Sequence, residues 1–239
     1  MLLTIKNETS TSADVYINGT IIDDDEGSFR SDWCESTDGF QWPTDLKRQL
    51  DNLRGKDLNV YINSYGGSVP AGLAMAHMIE RHDGKTTAIV DGYCCSIATQ
   101  IFFAADTCCM YPNSYLMVHK PFSALVGNAD EMRKVAEILD TLQVGLETAY
   151  QKKALDGVTP EEIHGMIEDE TWLTGTEAAA KFQIELQKSL PVMNCVGSVE
   201  KLTSMGAKKI PAQLKFKAEL RQADLDEIEI ALARAKGVV

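Results

Sequence analysis

The sequence predicts an α/β fold whose central sheet is largely parallel. Short apolar runs typical of strands alternate along the chain with segments of helical periodicity, and this alternation is characteristic of βα units. The length of 239 residues suits one generous domain, or one domain with an appendage. Hydrophobic residues make up 44% of the chain, which is enough to build a core.

Four apolar runs predict the strands of this sheet. Their short length and apolar content are typical of buried strands. The predicted strands cover residues 14–19, 57–64, 86–93 and 114–120. The second run ends at Asn63 and Ser64, directly before two adjacent glycines, Gly66 and Gly67, and a segment that has the pattern of a helix.

Three helices are predicted between these strands. Residues 44–53 place three leucines on one face of a helix. Residues 70–81 begin with a proline, which suits the first helical turn. Residues 97–105 are apolar on nearly all sides, and this composition predicts a buried helix.

The pattern changes after the fourth strand, where a single helix of about 25 residues is predicted over 128–152. Asn128 and Glu131 have the spacing of a capping box at its start. Its apolar stripe is formed by Val135, Ile138, Leu139, Leu142, Leu146, Ala149 and Tyr150. Threonine N-caps predict two further helix starts, at residues 159–162 and 174–177.

The C-terminal part of the sequence is predicted to be an extension of the main domain. Prolines and glycines interrupt residues 190–212, which we interpret as a linker, and residues 213–236 return to helical spacing. We therefore predict one domain over 1–189 and an extension over 190–239. The last helix is predicted to be peripheral, with an arm that binds a neighbouring subunit as the alternative.

Charge and composition make several partners poor candidates. The formal net charge of −12 repels phosphate backbones and anionic lipid, so we expect neither nucleic acid nor a membrane as partner. No apolar run approaches membrane-spanning length and no charged-then-apolar leader opens the chain, so a cytoplasmic protein is predicted. The six cysteines lack a C-x-x-C motif, and we expect reduced, mostly buried thiols without a metal.

Three predicted strand ends carry residues suited to chemistry. Sites in parallel α/β sheets form at the carboxyl ends of strands, and there the chain places the glycine pair, Ser96 and His119. Taken singly, each can be explained without a catalytic role: the glycines as a tight turn, Ser96 as a helix N-cap and His119 as a structural histidine. Their occurrence at successive strand ends favours a common site.

These segments resemble the Clp protease proteolytic subunit family. "VYINSYGGSVPAGLAMAHMI" is similar to the family's "YINSPGGSV-x-AG", and "DGYCCSIATQIFFAADTCCMYPNSYLMVHKP" contains its serine and histidine motifs. "TWLTGTEAAAKFQI" is similar to its "D-x-F-[ML]-S-A-x-E-A-x-x-x-G-L-[IV]-D". The resemblance covers about residues 14–186 and implies a Clp-protease/crotonase-like fold of repeated ββα and βα units, with a long handle helix.

The resemblance implies a serine endopeptidase with no cofactor and no metal. Ser96 would be the nucleophile, His119 the general base, and the main-chain N–H groups of Gly67 and Ile97 the oxyanion hole. Gly66 would make the turn that allows Gly67 to present its amide.

The third triad member departs from the family pattern. The family has aspartate two residues before the aromatic residue of the last motif, where this chain has Glu170 before Trp172. Glutamate serves in some triads. Its extra methylene changes the reach of the carboxylate, so Asp169 remains a rival and Glu168 a more distant one. An acidic helix end exposed to water is the structural alternative.

Other departures resemble the Clp-protease-like enzymes of bacteriophages and prophages, whose proposed role is prohead maturation. The residues up to about Phe40 do not match the housekeeping branch, and Tyr65 replaces its proline. The resemblance implies a polypeptide substrate and a homo-oligomer. The helix over 128–152 would lie at a contact between two rings, and the rings would stack as in the family. An ATPase partner is not predicted, because the N-terminal docking loops are not recognisable.

Two other functions stay open at the level of sequence. A crotonase-like acyl-CoA enzyme uses paired backbone amides on this fold but does not need the serine and histidine together. A non-catalytic assembly protein with an idle site on the same fold is the other alternative, and the glutamate at residue 170 keeps it open.

Overall fold

The computed structural model describes residues 5–34 and 39–188 of the chain. Within these ranges nine strands form one sheet. The strands are β1 (Ile5–Lys6), β2 (Ser12–Ile21), β3 (Phe40–Gln41), β4 (Asp57–Gly67), β5 (Thr86–Cys95), β6 (Thr107–Met110), β7 (Tyr115–Val118), β8 (Thr171–Thr174) and β9 (Glu185–Leu186). All four predicted strands are therefore present.

Seven helices lie in the described ranges, and six of them begin within one residue of a predicted start. The helices are α1 (Asp24–Trp33), α2 (Pro43–Asp51), α3 (Val69–Glu80), α4 (Ala98–Phe103), α5 (Ala129–Lys153), α6 (Pro160–Glu168) and α7 (Gly175–Ala179). Side-chain caps at Asn128, Thr159 and Thr174 mark three of these starts, and the capping boxes of α5 and α7 are complete.

The sheet is largely parallel, as the alternation of elements predicts. The main strand order is β1-β2-β4-β5-β6-β9, while β3 adds to β2, β7 pairs with β5, and β8 pairs with β7. The pairs of β2 with β4, β4 with β5, and β5 with both β6 and β7 are parallel. The β1–β2 and β7–β8 pairs are antiparallel. The mixed α/β fold of the prediction is confirmed.

One face of the sheet packs against helices to form the core. Along β4, Leu58, Val60 and Ile62 are buried to 1% exposure or less, whereas Asn59 and Tyr61 between them are half-buried. This alternation follows from the two-residue period of a strand. The buried side chains join those of α2 and α3, including Leu46 and Met75, in one core. The carboxyl ends of the parallel strands are thereby held in a fixed arrangement.

Strand β4 continues beyond its predicted end. It runs to Gly67, and its pairing with β2 shifts register after Gly19, so that Thr20 lies opposite Gly66 and Ile21 opposite Gly67. Tyr65 takes up the extra position, as in a β-bulge. Helix α3 begins only two residues after the strand, at Val69, with Ser68 as its N-cap.

Helix α1 and the five short strands β1, β3, β6, β8 and β9 were not predicted. The sequence of α1, DDEGSFRSDW, is strongly acidic at its start and has only one buried residue, so it lacks an apolar stripe. Strand β6 has the sequence TCCM, and its two cysteines are buried. Such short or weakly patterned segments become regular through neighbouring elements, which the chain pattern does not reveal.

Helix α5 is buried only in its C-terminal half. Its buried residues are Gln143, Leu146 and Tyr150. Nearer its start, Met132 and Ile138 are 51% and 50% exposed, although the predicted apolar stripe includes Ile138. The first half of this helix therefore presents apolar side chains that the described part of the chain leaves exposed.

The five cysteines of the described residues are not joined in disulfides. Cys94, Cys95, Cys108 and Cys109 are free and buried, and Cys34 is free and exposed. No described helix has both the length and the apolar content needed to cross a membrane. The predicted linker over 190–212 and the helix over 213–236 lie outside the described residues, so the division at residue 189 stays a prediction.

Candidate active site

Ser96 lies on a sharp corner between β5 and α4. Its φ of +55° is left-handed, a conformation that costs a non-glycine residue roughly 1–2 kcal/mol. The corner is held by two main-chain hydrogen bonds: the N–H of Ser96 donates to the carbonyl of Met117 at 2.8 Å, and the N–H of Thr99 donates to the carbonyl of Ser96 at 3.0 Å. A strained strand–turn–helix corner is the way in which nucleophile elbows present a serine.

His119 contacts the hydroxyl of Ser96. It directly follows β7, which lies parallel to β5 with Met117 opposite Cys95. The Nε2 atom of His119 is 2.8 Å from the Oγ atom of Ser96, which is hydrogen-bonding distance. The structure thus brings together the serine and the histidine that the sequence places at two strand ends.

Glu170 lies at the end of the antiparallel β7–β8 pair. Val118 and Thr171 are paired, so the next positions outward along the two strands are His119 and Glu170. Glu170 is only 8% exposed and has a left-handed φ of +50°. Burial, and then the negative charge of Glu170, raise the pKa of the Cys95 thiol. The carboxyl group of Glu170 therefore lies close to the residue that precedes Ser96.

The two rival carboxylates are placed differently. Asp169 ends α6 as its C-cap and is exposed. Glu168 is also exposed, and its carboxylate forms an ion pair with Lys120. The hydrogen bond from Lys120 lowers the pKa of Glu168. Burial therefore favours Glu170 as the acidic group of this site, although it is the departure from the family pattern.

The glycine pair lies against the Ser96 corner. A Cβ atom on Gly66, whose φ is +91°, would lie 2.7 Å from the carbonyl oxygen of Cys95 and 2.8 Å from the Cβ atom of Ser96. It would also be 3.2 Å from the main-chain nitrogen of Ile97. A Cβ atom on Gly67, at φ +148°, would lie 2.0 Å from the carbonyl oxygen of Ile21. Each glycine is therefore required by close approach of another main chain.

We expect Gly66→Ala to destabilise the protein by on the order of 3 kcal/mol, because an overlapping Cβ and a left-handed alanine both carry a cost. The same change displaces the Ser96 corner, so reaction of Ser96 with an active-site probe should fall by more than tenfold. Thermal unfolding and probe labelling measure the two effects. Gly165→Ala is the matched control, since a Cβ on this α6 glycine meets nothing within 4 Å. A Gly66→Ala protein as stable and as reactive as the original would contradict the packing described above.

Phe122 also borders the site, and no feature of the sequence singles it out. It is 58% exposed in the segment between β7 and α5, and its ring centroid lies 5.8 Å from that of His119. The segment has neither strand nor helix periodicity, so its position beside the histidine is visible only in the structure. In the described ranges, no group of three His, Cys, Asp or Glu side chains is arranged to hold a metal ion.

Serine hydrolases use the arrangement found here. Their serine lies on a strand–turn–helix corner and is hydrogen-bonded to a histidine at a neighbouring strand end. The profile of the Clp protease family matches residues 47–182. Since this match covers more than half of the chain, the chain belongs to the Clp protease family. The matched region includes Gly67, Ser96, Ile97, His119 and Glu170.

The chain is also similar to curated proteins described as ATP-dependent Clp protease proteolytic subunits. The Bacteroides fragilis protein is 28% identical over 126 residues, which are 52% of this chain and 60% of the relative. The Streptococcus gordonii protein is 32% identical over 129 residues, which are 52% of this chain and 65% of the relative. The similarity thus spans less than two thirds of the length of these relatives.

Proposed function

We propose that this protein is a serine endopeptidase that cleaves polypeptides through Ser96, His119 and Glu170. The observation that carries the proposal is the 2.8 Å contact between the Nε2 atom of His119 and the Oγ atom of Ser96 on a strained corner. A hydroxyl at this distance from an imidazole can lose its proton as it attacks a carbonyl. Membership of the Clp protease family and the similarity to proteolytic subunits support the same function.

The proposed reaction is acyl transfer in two steps. His119 takes the proton of Ser96 as Oγ attacks the scissile carbonyl, and then gives that proton to the leaving amine. Water next attacks the acyl-enzyme ester with His119 as base, which releases the new carboxyl end and restores the hydroxyl of Ser96. Glu170 is proposed to hold the imidazole tautomer and to stabilise the imidazolium.

The N–H groups of Gly67 and Ile97 are proposed to bind the oxyanion of each tetrahedral intermediate. Ile97 directly follows the nucleophile at the Ser96 corner. The glycine pair lies beside Ile97, because a Cβ atom on Gly66 would be 3.2 Å from the main-chain nitrogen of Ile97. Loss of one such donor typically lowers the rate by on the order of 10²–10³.

Reaction with a fluorophosphonate probe tests this proposal. We expect intact-mass analysis of the full chain to show one adduct per subunit, and fragment analysis to place it on Ser96. Absence of an adduct on Ser96 in every oligomeric state would exclude a reactive nucleophile and would favour the non-catalytic assembly protein. Direct binding of acyl-CoA thioesters without probe labelling would instead favour the crotonase-like acyl-CoA enzyme.

A homo-oligomer is part of the proposal. The exposed apolar residues in the first half of α5 support a contact with a second copy of the chain, and rings that stack through this helix would cover them. Native mass measurement gives the subunit number. A monomer at micromolar concentration would count against this assembly.

The substrate in a phage or prophage setting is proposed to be a capsid or scaffold protein of the prohead, cleaved in the cytoplasm without an ATPase partner. The departures of the sequence from the housekeeping branch support this choice. Incubation with such a scaffold protein, with and without ATP, tests it by the masses of the fragments. No cleavage of any scaffold or capsid protein would contradict it.

A further inference from the structure

A buried line of hydroxyl groups connects α5 to the corner at Ser96. The hydroxyl of Thr99 lies 2.6 Å from that of Tyr150, and it donates to the carbonyl oxygen of Ser96 at 2.5 Å. Thr99 is fully buried and Tyr150 is 3% exposed. Burial raises the pKa of Tyr150 to about 12, so its hydroxyl keeps its proton. The residues are 51 positions apart, and the bond joins two different elements.

The chemistry of the groups fixes the direction of each bond. A threonine hydroxyl has one proton, and a carbonyl oxygen can only accept. Since Thr99 donates its proton to Ser96, the hydroxyl of Tyr150 must donate to Thr99. Gln100, the next residue of α4, donates to the carbonyl of Leu146 on α5 at 3.3 Å.

The carbonyl that accepts from Thr99 belongs to the same peptide unit as the N–H of Ile97. A peptide unit is planar, and in its trans form the C=O and the N–H point in opposite directions. No cis peptide occurs in the described residues. A side chain that fixes the direction of the Ser96 carbonyl therefore also fixes the direction of the Ile97 N–H.

We propose that Thr99 and Tyr150 are positioning residues that orient the Ser96–Ile97 peptide unit. Thr99 holds the carbonyl on the buried side, and the Ile97 N–H is thereby directed toward the oxyanion. Tyr150 keeps the threonine hydroxyl aimed at the carbonyl, because it occupies the other bonding direction of that oxygen. This inference rests on the proposed function, since it assigns the Ile97 N–H an oxyanion.

The test compares Thr99→Val, Thr99→Ser and Tyr150→Phe as full-length proteins. Thr99→Val keeps the shape of the side chain but removes its hydroxyl donor, while the main-chain N–H of residue 99 still bonds the same carbonyl. We expect kcat for a peptide substrate to fall by about 10–100-fold with little change in KM. Thr99→Ser keeps the hydroxyl and should stay within about threefold of the original. Tyr150→Phe leaves the threonine donor in place but unguided, and should lose roughly three- to tenfold.

The pH dependence of kcat/KM distinguishes a misoriented Ser96–Ile97 peptide unit from a general disturbance of the active site. His119 is untouched by these changes, so the midpoint of kcat/KM against pH should not move while the plateau falls. Thr148→Val is the matched control, because the Thr148 hydroxyl donates to the Val144 carbonyl at 3.1 Å on the exposed side of α5. This control should keep the original kcat.

Three results would overturn the inference. One is a folded Thr99→Val protein with the original kcat, and another is a Thr99→Ser protein impaired as much as Thr99→Val. The third applies if Thr99→Val does not fold. It is a Tyr150→Phe protein that keeps the original kcat and the original rate of fluorophosphonate labelling. Failure of the unmodified protein to label at Ser96 would instead overturn the proposed function, and this inference with it.

Discussion

Replacing Ser96 by alanine is expected to abolish peptide cleavage and fluorophosphonate labelling, with kcat falling by on the order of 10⁴ or more. The change removes the hydroxyl that lies 2.8 Å from the Nε2 atom of His119, so no alkoxide forms at the corner. The residual rate would come from substrate binding and the oxyanion donors alone. Fragment masses from a denatured polypeptide substrate, followed over time, measure the loss.

The fold should survive this substitution. The side chain of Ser96 is only partly buried, and its main-chain N–H and carbonyl keep their partners. Ser114→Ala is the matched control, because the Ser114 hydroxyl also bonds within the protein, to the carbonyl of Tyr111 at 2.9 Å. Ser114→Ala should lose about 1 kcal/mol of stability and keep its activity. Full cleavage by Ser96→Ala would mean that another residue is the nucleophile.

The meeting of Ser96 and His119 was predictable because it depends on a simple rule of topology. Each residue follows an apolar run, and the carboxyl ends of neighbouring parallel strands lie at one edge of a sheet. The rule does not give the distance between the two side chains. That distance depends on the left-handed corner at Ser96, and the sequence CCSIA contains no glycine or other sign of such a turn.

The role of the glycine pair was only partly predictable. Two glycines at a strand end indicate a special turn, and the sequence suggests that Gly66 makes the turn for Gly67. The structure shows in addition that β4 continues through both residues as a bulged strand. Gly66 then contacts the Ser96 corner and Gly67 contacts Ile21. These contacts join strands that are distant in sequence, so no local pattern contains them.

The bond between Thr99 and Tyr150 was not predictable for a similar reason. Thr99 lies in an apolar helix, and Tyr150 lies in the apolar stripe of a helix 51 positions further on. The sequence marks both as core residues, which their burial confirms. Whether two buried hydroxyls meet depends on how α4 packs against α5. That packing is set by the shapes of many side chains together.

Replacing Glu170 by glutamine is the other change with a large expected effect, a fall in kcat on the order of 10⁴ if Glu170 orients the imidazole of His119. Glutamine has nearly the same shape but lacks the charge that stabilises an imidazolium, and its amide can favour the wrong tautomer. Glu170→Asp restores the charge with a shorter reach. Aspartate also tolerates the left-handed φ of +50° at this position, so we expect a loss of only about tenfold.

Asp169→Asn separates the two neighbouring carboxylates. Asp169 is exposed at the end of α6, whereas Glu170 is 8% exposed and lies outward of the Val118–Thr171 pair, opposite His119. We therefore expect Asp169→Asn to stay within about threefold of the original kcat. A buried carboxylate is the better partner for an imidazolium, because attraction between charges is stronger where water is excluded. If Asp169→Asn lost activity by several orders of magnitude while Glu170→Gln kept it, the acid would be Asp169, and the burial of Glu170 would need another explanation.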